Sequence, residues 1–131
     1  MAQFSLGNCF AFGNGVKKNA SKAVEWYRKA AEQGDLLAQF SLGYCYSEGD
    51  GVARDSSISL KWYSTAAYNG HSPSQYILGL KFSTGEGVPK DSIEAYALFN
   101  LSAVTTKEAL QARSQLEKSM TKEQISAGQI R

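Results

Sequence analysis

The sequence predicts an all-α protein, a solenoid in which antiparallel pairs of helices stack one after another. Two observations carry this prediction. The sequence matches itself at an offset of 36 residues, and each repeat holds two stretches with the apolar spacing of amphipathic helices. A repeat of this length cannot bury its apolar face alone, so successive repeats must stack. We therefore expect about three repeats followed by a C-terminal capping helix.

The internal match is extensive. Aligning residues 2–34, 38–70 and 74–103 leaves seven positions that are the same in all three repeats. They are Gln3/Gln39/Gln75, Leu6/Leu42/Leu78, Gly7/Gly43/Gly79, Gly13/Gly49/Gly85, Gly15/Gly51/Gly87, Val16/Val52/Val88 and Ala31/Ala67/Ala103. A match of this extent identifies a true repeat architecture.

The first helix of each repeat, which we call helix A, is expected near residues 1–12, 37–48 and 73–84. In the first repeat one face of this helix would carry Ala2, Gln3, Leu6, Gly7 and Phe10. Glycine inside a helix costs about 1 kcal/mol relative to alanine, so a mid-helix glycine in every repeat needs a packing reason. Because glycine has no Cβ, we expect a second helix to lie directly against it.

A turn and a second helix, helix B, complete each repeat. Gly13 follows helix A, at the position where the left-handed conformation ends a helix. Helix B is expected near residues 20–33, 56–69 and 92–103, with Asn19, Asp55 and Asp91 as N-caps. Its apolar stripe combines small residues, which permit close contact, with large aromatic ones, as in Ala23, Trp26, Tyr27, Ala30 and Ala31.

The tail breaks the 36-residue period. A helix beginning near Lys107 would carry an apolar stripe of Ala109, Leu116 and Met120. The run 121–124 fits a capping box that starts a short final helix through Ile125 and Ile130. We therefore expect a single domain over residues 1–131, with repeats at about 1–36, 37–72 and 73–106 and a cap at 107–131.

The repeat resembles a known family. Residues 2–34 follow the pattern A-x-x-x-L-G-x-x-[FY]-x-x-G-x-G-V-x-x-[ND]-x-x-K-A-x-x-W-Y-x-K-A-A-x-x-G, which looks like the Sel-one-like repeat, a relative of the tetratricopeptide repeat. The second repeat departs from it at Ile58-Ser59 and the third at Leu98-Phe99. The resemblance implies a right-handed α-solenoid that acts as an adaptor, and the tail is similar to the closing segment of bacterial members.

Composition excludes several classes of function. The chain of 131 residues is ordinary in its hydrophobic content and has a net charge of +2, too even to indicate nucleic acid as a partner. No window approaches 18 uninterrupted apolar residues, so membrane insertion is not expected. The glycine pairs in the turns follow a helix and recur in every repeat, which is typical of turns and not of phosphate loops.

Residues for catalysis or for a cofactor are not apparent in the sequence. His71 is the only histidine, and no cluster of ligands with metal-binding spacing accompanies it. No nucleophile motif of the G-x-S-x-G or S-x-x-K kind has its companion residues. We therefore expect no catalytic residues, no cofactor and no metal site.

The two cysteines, Cys9 and Cys45, occupy equivalent positions in successive repeats. Packed helices lie roughly 9–10 Å apart, whereas a disulfide needs Cα atoms within about 7 Å. We expect both thiols to be reduced, which favours a reducing compartment. No signal peptide is visible, and the missing cap ahead of helix A indicates an excised segment whose targeting sequence lay upstream.

A candidate binding surface comes from the side of helix A thought to face away from helix B. If Leu6, Gly7 and Phe10 face helix B, their opposite side would form a stripe along an inner, concave wall. Its members would be Phe4, Asn8, Phe40, Tyr44, Tyr76 and Leu80. An aromatic row of this kind suits a peptide, although the same rings could instead pack against helix A of the next repeat.

The sequence thus predicts a non-enzymatic scaffold that binds another protein or peptide. Two alternatives stay open. The first is a cell-wall-directed or β-lactamase-like enzyme, by analogy with a cysteine-rich bacterial branch of the family. That branch joins the two helices of each repeat by a disulfide, whereas both cysteines here lie on helix A. The second alternative is a structural segment of a longer repeat array.

Overall fold

The computed structural model describes residues 3–130, so the expected contributions of Met1 and Ala2 to the first helix lie outside the described residues. This part of the chain holds eight α-helices and no strand. They are α1 (Gln3–Phe12), α2 (Ala20–Glu32), α3 (Leu36–Glu48), α4 (Ser56–Tyr68), α5 (Ser72–Thr84), α6 (Ser92–Ser102), α7 (Lys107–Glu117) and α8 (Lys122–Ile130). The predicted all-α architecture of helix pairs is confirmed.

The chain forms two compact units, Met1–Asn69 and Gly70–Arg131. In the first unit α2 packs against both α1 and α3, and α4 packs against α3. In the second unit α6 is the central helix and contacts α5, α7 and α8. Each pair of helices A and B therefore follows the order of the chain.

One contact recurs inside every helix pair: the mid-helix glycine of helix A lies on an aromatic ring of helix B. A Cβ atom added to these glycines would lie 2.6, 2.8 and 2.6 Å from the nearest ring carbon, in the pairs Gly7–Tyr27, Gly43–Tyr63 and Gly79–Phe99. Real Cβ atoms essentially never approach other atoms this closely. The expected packing reason for the glycine is confirmed.

Local signals set the ends of the helices. The side chains of Asn19, Asp55 and Asp91 accept hydrogen bonds from backbone N–H groups three residues later, at 3.1, 3.1 and 3.0 Å. Helix A of the second repeat ends at Gly49, whose φ of 72° lies in the left-handed region that glycine adopts without strain. The predicted caps are confirmed.

Successive repeats of the first unit are joined by a buried hydrogen bond. The Gln39 side chain, only 4 % exposed, donates from Nε2 to the Ala31 carbonyl at 3.1 Å. The Ala31 carbonyl lies in the last turn of α2 and also accepts from the Gly34 N–H at 3.0 Å, so Gln39 adds a second donor to the end of the helix. Both residues stand in positions that are identical in all three repeats.

The tail packs around α6. Ala109 and Leu116 are buried, and Met120 packs against the cluster that contains Leu116, as the apolar stripe predicts. The capping box is also confirmed, because the Thr121 N–H donates to Gln124 Oε1 at 2.9 Å and the Gln124 N–H donates to Thr121 Oγ1 at 3.1 Å. No packing role was predicted for Gly128. A Cβ there would lie 2.8 Å from the Tyr96 ring, so α8 also approaches α6 through a glycine.

The glycine contact generates a stability prediction. Replacing Gly43 by leucine should lower the free energy of unfolding by about 1–3 kcal/mol, because the new side chain must displace the Tyr63 ring. Tyr63 is buried, so its ring has no room to swing aside. Urea denaturation measures the loss. The control is Glu48→Leu on the exposed surface of the same helix, which should change stability by less than about 0.5 kcal/mol. Equal stability of the Gly43 variant and the parent would contradict this account.

Candidate binding site

Three of the four aromatic residues predicted for the binding stripe are half-buried. Phe4, Phe40 and Tyr76 lie on helix A with their ring centroids 5.6, 5.6 and 6.1 Å from a ring on helix B of the same repeat. Those partner rings are the ones that lie on the mid-helix glycines, Tyr27, Tyr63 and Phe99. Each helix pair therefore holds two aromatic rings in contact beside its glycine, at tilted or edge-to-face angles.

The expectation that Phe4 and Asn8 point away from helix B is wrong. Phe4 contacts Tyr27, and the Tyr27 hydroxyl donates to Asn8 Oδ1 at 2.6 Å. Ala11 packs against the core cluster of the first unit. The reason is rotational: Phe4 and Ala11 stand three before and four after Gly7, so they flank the glycine on the same side of the helix. The contact face is centred on Gly7, nearer to these residues than the sequence argument assumed.

The residue just after the mid-helix glycine differs in solvent exposure among the three repeats. Tyr44 is 51 % exposed and Leu80 is 36 % exposed, whereas Asn8 is half-buried. Tyr44 and Leu80 are thus the two residues of the predicted stripe whose side chains are open to solvent. Phe4, Asn8, Phe40 and Tyr44 belong to the first unit, whereas Tyr76 and Leu80 belong to the second.

In the first unit a cleft of about 340 Å³ lies among α1, α2 and α3, and we call it the α1–α3 cleft. Asn8, Phe40 and Tyr44 of the predicted stripe line it. The sequence argument missed several other lining residues, above all Phe12, Tyr27, Lys18 and Asp50. Phe12 is 70 % exposed at the end of α1, an unusual position for phenylalanine that could have drawn attention.

The two buried titratable residues that form the floor of this cleft, Tyr27 and Cys45, stay uncharged at neutral pH. Burial, and then the charges of Cys45 and Asp50, raise the pKa of Tyr27 to about 12. Burial and the Asp50 carboxylate likewise raise the pKa of Cys45 to about 11. A thiol is a nucleophile only as the thiolate, so Cys45 is a poor nucleophile at neutral pH. The cleft thus combines aromatic walls with uncharged hydrogen-bonding groups.

The second unit has a cleft at the equivalent place, more open and about 450 Å³ in volume. Leu80, Phe99 and Leu116 line it, together with Lys118. Leu80 and Phe99 stand where the first repeat has Asn8 and Tyr27. A hydrogen-bonded polar pair in one repeat is thus replaced by an apolar pair in another.

Other reactive groups of the described residues fit structural positions. His71, the residue that precedes α5, lies with Nδ1 2.7 Å from Ser74 Oγ, and burial lowers its pKa. Among residues 3–130 no group of three or more His, Cys, Asp or Glu is arranged to hold a metal ion. Cys9 is half-buried, Cys45 is buried, and both are free thiols. None of the described helices is both long and apolar enough to cross a membrane.

Comparison with known proteins identifies the repeat. The family model described as Sel1 repeat matches residues 1–35, 36–71 and 72–103. The crystal structure of a Sel1 repeat protein from Oxalobacter formigenes is 35 % identical with a TM-score of 0.81, and the match covers 85 % of this chain and 46 % of that one. A protective antigen of uropathogenic Escherichia coli strains, which displays an SLR fold, is 28 % identical with a TM-score of 0.65.

The match to the Escherichia coli antigen covers 98 % of this chain and 36 % of that one. The chain therefore spans less than half the length of either solved structure. Both structures come from bacteria. No curated protein sequence matches the chain.

The polar pair of the first repeat generates a second prediction. Asn8→Leu should lower the free energy of unfolding by about 1–3 kcal/mol, because it leaves the hydroxyl of the buried Tyr27 without its acceptor. Adding Tyr27→Phe should restore most of the loss, since the double variant recreates the Leu80–Phe99 pair of the third repeat. Urea denaturation of both single variants and the double variant gives the coupling energy. Additive losses would show that the hydrogen bond does not link the two positions.

The buried thiol generates a third prediction. In a Cys9→Ser variant, native Cys45 should react with a disulfide reagent much more slowly than the same thiol in the unfolded chain. The rate should rise with pH until about pH 11, because the raised pKa keeps the thiol protonated below that value. A thiol titration of the unfolded, non-reduced parent should find both cysteines free. An intramolecular disulfide would contradict the prediction.

Proposed function

The chain belongs to the Sel1 repeat family, and we propose that it is a non-enzymatic scaffold that binds another protein or peptide through the side lined by its helices A. Sel1 repeat proteins are generally protein-interaction scaffolds. We place the repeats at about residues 1–36, 37–72 and 73–106, with residues 107–131 as a cap. The binding side, which we call the helix-A side, is the surface on which α1 and α3 border their cleft in the first unit.

The α1–α3 cleft is the observation that carries this proposal. It is a concave site bordered by two exposed aromatic side chains, Phe12 and Tyr44. Exposed aromatic residues at a cleft mark interaction sites, because their burial by a partner contributes much of the binding energy. Phe40 lines the same cleft, and Asn8 supports it by holding the Tyr27 hydroxyl.

The other predicted residues have supporting parts in this proposal. Phe4 packs on Tyr27 and so fixes the ring that forms part of the cleft. In the second unit Leu80 lines the equivalent cleft, and Tyr76 packs on the Phe99 ring that also lines it. Each unit therefore offers a recess beside a helix A that a partner could occupy.

Chemistry in the α1–α3 cleft favours binding over an enzymatic role. An enzyme that uses Cys45 would need a lowered pKa for that thiol, whereas burial and the Asp50 carboxylate raise it. No cofactor is needed for a protein-interaction surface of this kind, and the proposal includes none.

A peptide selection tests the proposal. Peptides selected from a random phage-displayed library on the immobilised protein should bind the helix-A side. Tyr44→Ala should then weaken the selected peptide by at least about 2 kcal/mol, the scale of a hot spot. Tyr44 is the better test position, because Phe40 packs against Tyr63 and its truncation would also lower stability.

Tyr68→Ala is the matched control, since Tyr68 is an equally exposed tyrosine that lies on helix B of the same repeat. It should change peptide affinity by no more than a few tenths of a kcal/mol, as a tyrosine away from the interface does. Lys17→Ala on the exposed turn should have a similarly small effect. Unchanged affinity for Tyr44→Ala at unchanged melting temperature would place binding elsewhere and overturn the proposal.

A further inference from the structure

We propose that the α1–α3 cleft takes a cationic side chain, an arginine or a lysine, from the segment that binds the helix-A side. This inference rests on the proposed function and names the kind of residue that the first unit recognises.

The aromatic lining suits a cation. Four aromatic side chains line the cleft: Phe12, Tyr27, Phe40 and Tyr44. A guanidinium or ammonium group held within about 6 Å of such rings is attracted by the negative charge of their faces. The attraction is stronger where water is partly excluded, and Tyr27 and Phe40 are buried or half-buried. A volume of about 340 Å³ lies at the lower end of the range for small-ligand sites, which fits one long side chain.

The charges at the cleft also favour a cation. Asp50 and Lys18 are the two charged residues among the described residues that line it. Asp50 acts on the floor, because its carboxylate helps to raise the pKa of both Tyr27 and Cys45. Lys18 also lines the cleft, but it is not among the causes of either pKa shift, whereas Asp50 is a cause of both. The Asp50 carboxylate in the lining attracts a cationic side chain and repels a carboxylate.

The equivalent cleft of the second unit has fewer aromatic residues and no carboxylate among its described lining residues. It is lined by one aromatic ring, Phe99, and by the aliphatic side chains of Leu80 and Leu116. The charged residue among its described lining is Lys118, and no carboxylate accompanies it. Glu86 stands in the turn position equivalent to Asp50 but does not line that cleft. Recognition of a cation is thus a property of the first unit.

Nuclear magnetic resonance with small probes tests the inference directly. The ¹⁵N-labelled protein is titrated with N-acetyl-arginine amide, N-acetyl-lysine amide, N-acetyl-leucine amide and N-acetyl-glutamate amide. The two cationic probes should shift the backbone amide signals of Asn8, Ser41, Tyr44 and Asp50, with a smaller response to leucine and the smallest to glutamate. Added salt should weaken the response to the cationic probes.

Two variants and a matched control locate the effect. Asp50→Asn and Tyr44→Leu should each weaken binding of N-acetyl-arginine amide about threefold, the scale of one exposed cation–π or ion-pair contact. Both side chains are exposed, so the fold should tolerate the changes. Glu86→Gln, the equivalent change in the third repeat, should leave binding unchanged.

The inference is overturned if the arginine probe shifts none of these signals, if leucine or glutamate shifts them as strongly, or if Asp50→Asn has no effect. Its failure is distinct from failure of the proposed function. Selected peptides that need Tyr44 but carry no basic residue would leave the proposed function standing and contradict the cationic occupant. A response to arginine without any peptide bound on the helix-A side would support the cationic site and contradict the proposed function.

Discussion

The approach of helix A to an aromatic ring of helix B is the contact on which the rest of this structure depends. The absence of a Cβ at Gly7, Gly43 and Gly79 lets the backbone of helix A lie on Tyr27, Tyr63 and Phe99. A glycine inside a helix is unfavourable by about 1 kcal/mol, so the contact must return more than it costs. In all three repeats the same ring also contacts a second aromatic side chain, which comes from helix A.

This contact also determines which residues line the proposed binding cleft. Because Tyr27 must lie beside Gly7, its hydroxyl emerges next to the following position of helix A, and Asn8 accepts its hydrogen bond. Where the ring is Phe99 no hydroxyl needs an acceptor, and Leu80 follows the glycine instead. In the first and third repeats the residue after the glycine thus matches the polarity of the ring beside the glycine, and it lines the cleft of its unit. Core packing and the chemistry of the cleft are linked through one residue.

Much of the fold could be predicted because its signals are local. Helix ends follow from caps such as Asp55 and from the capping box at Thr121, which act within a single turn of chain. The direction of Phe4 could not be predicted reliably, since it depends on which residue is at the centre of the contact face. The sequence showed only that Gln39 and Ala31 stand at positions identical in all three repeats. It did not predict the hydrogen bond between them, because the two residues meet only when α2 and α3 pack together. Asp50 enters the cleft from a turn, where sequence periodicity says nothing about direction.

The three repeats differ where they can differ without disturbing the glycine contact. The position after the mid-helix glycine holds Asn8, Tyr44 and Leu80, and the middle of the turn holds Asn14, Asp50 and Glu86. Tyr44, Leu80 and all three turn residues are exposed, so substitutions there have little effect on stability. These substitutions nonetheless change the charge and shape of the cleft beside helix A in each unit. A framework of identical glycines and small residues therefore allows each cleft to acquire its own ligand preference. The first unit has an aromatic cleft with a carboxylate, and the second has an aliphatic cleft. This difference is expected if the residues of the two clefts vary independently of each other.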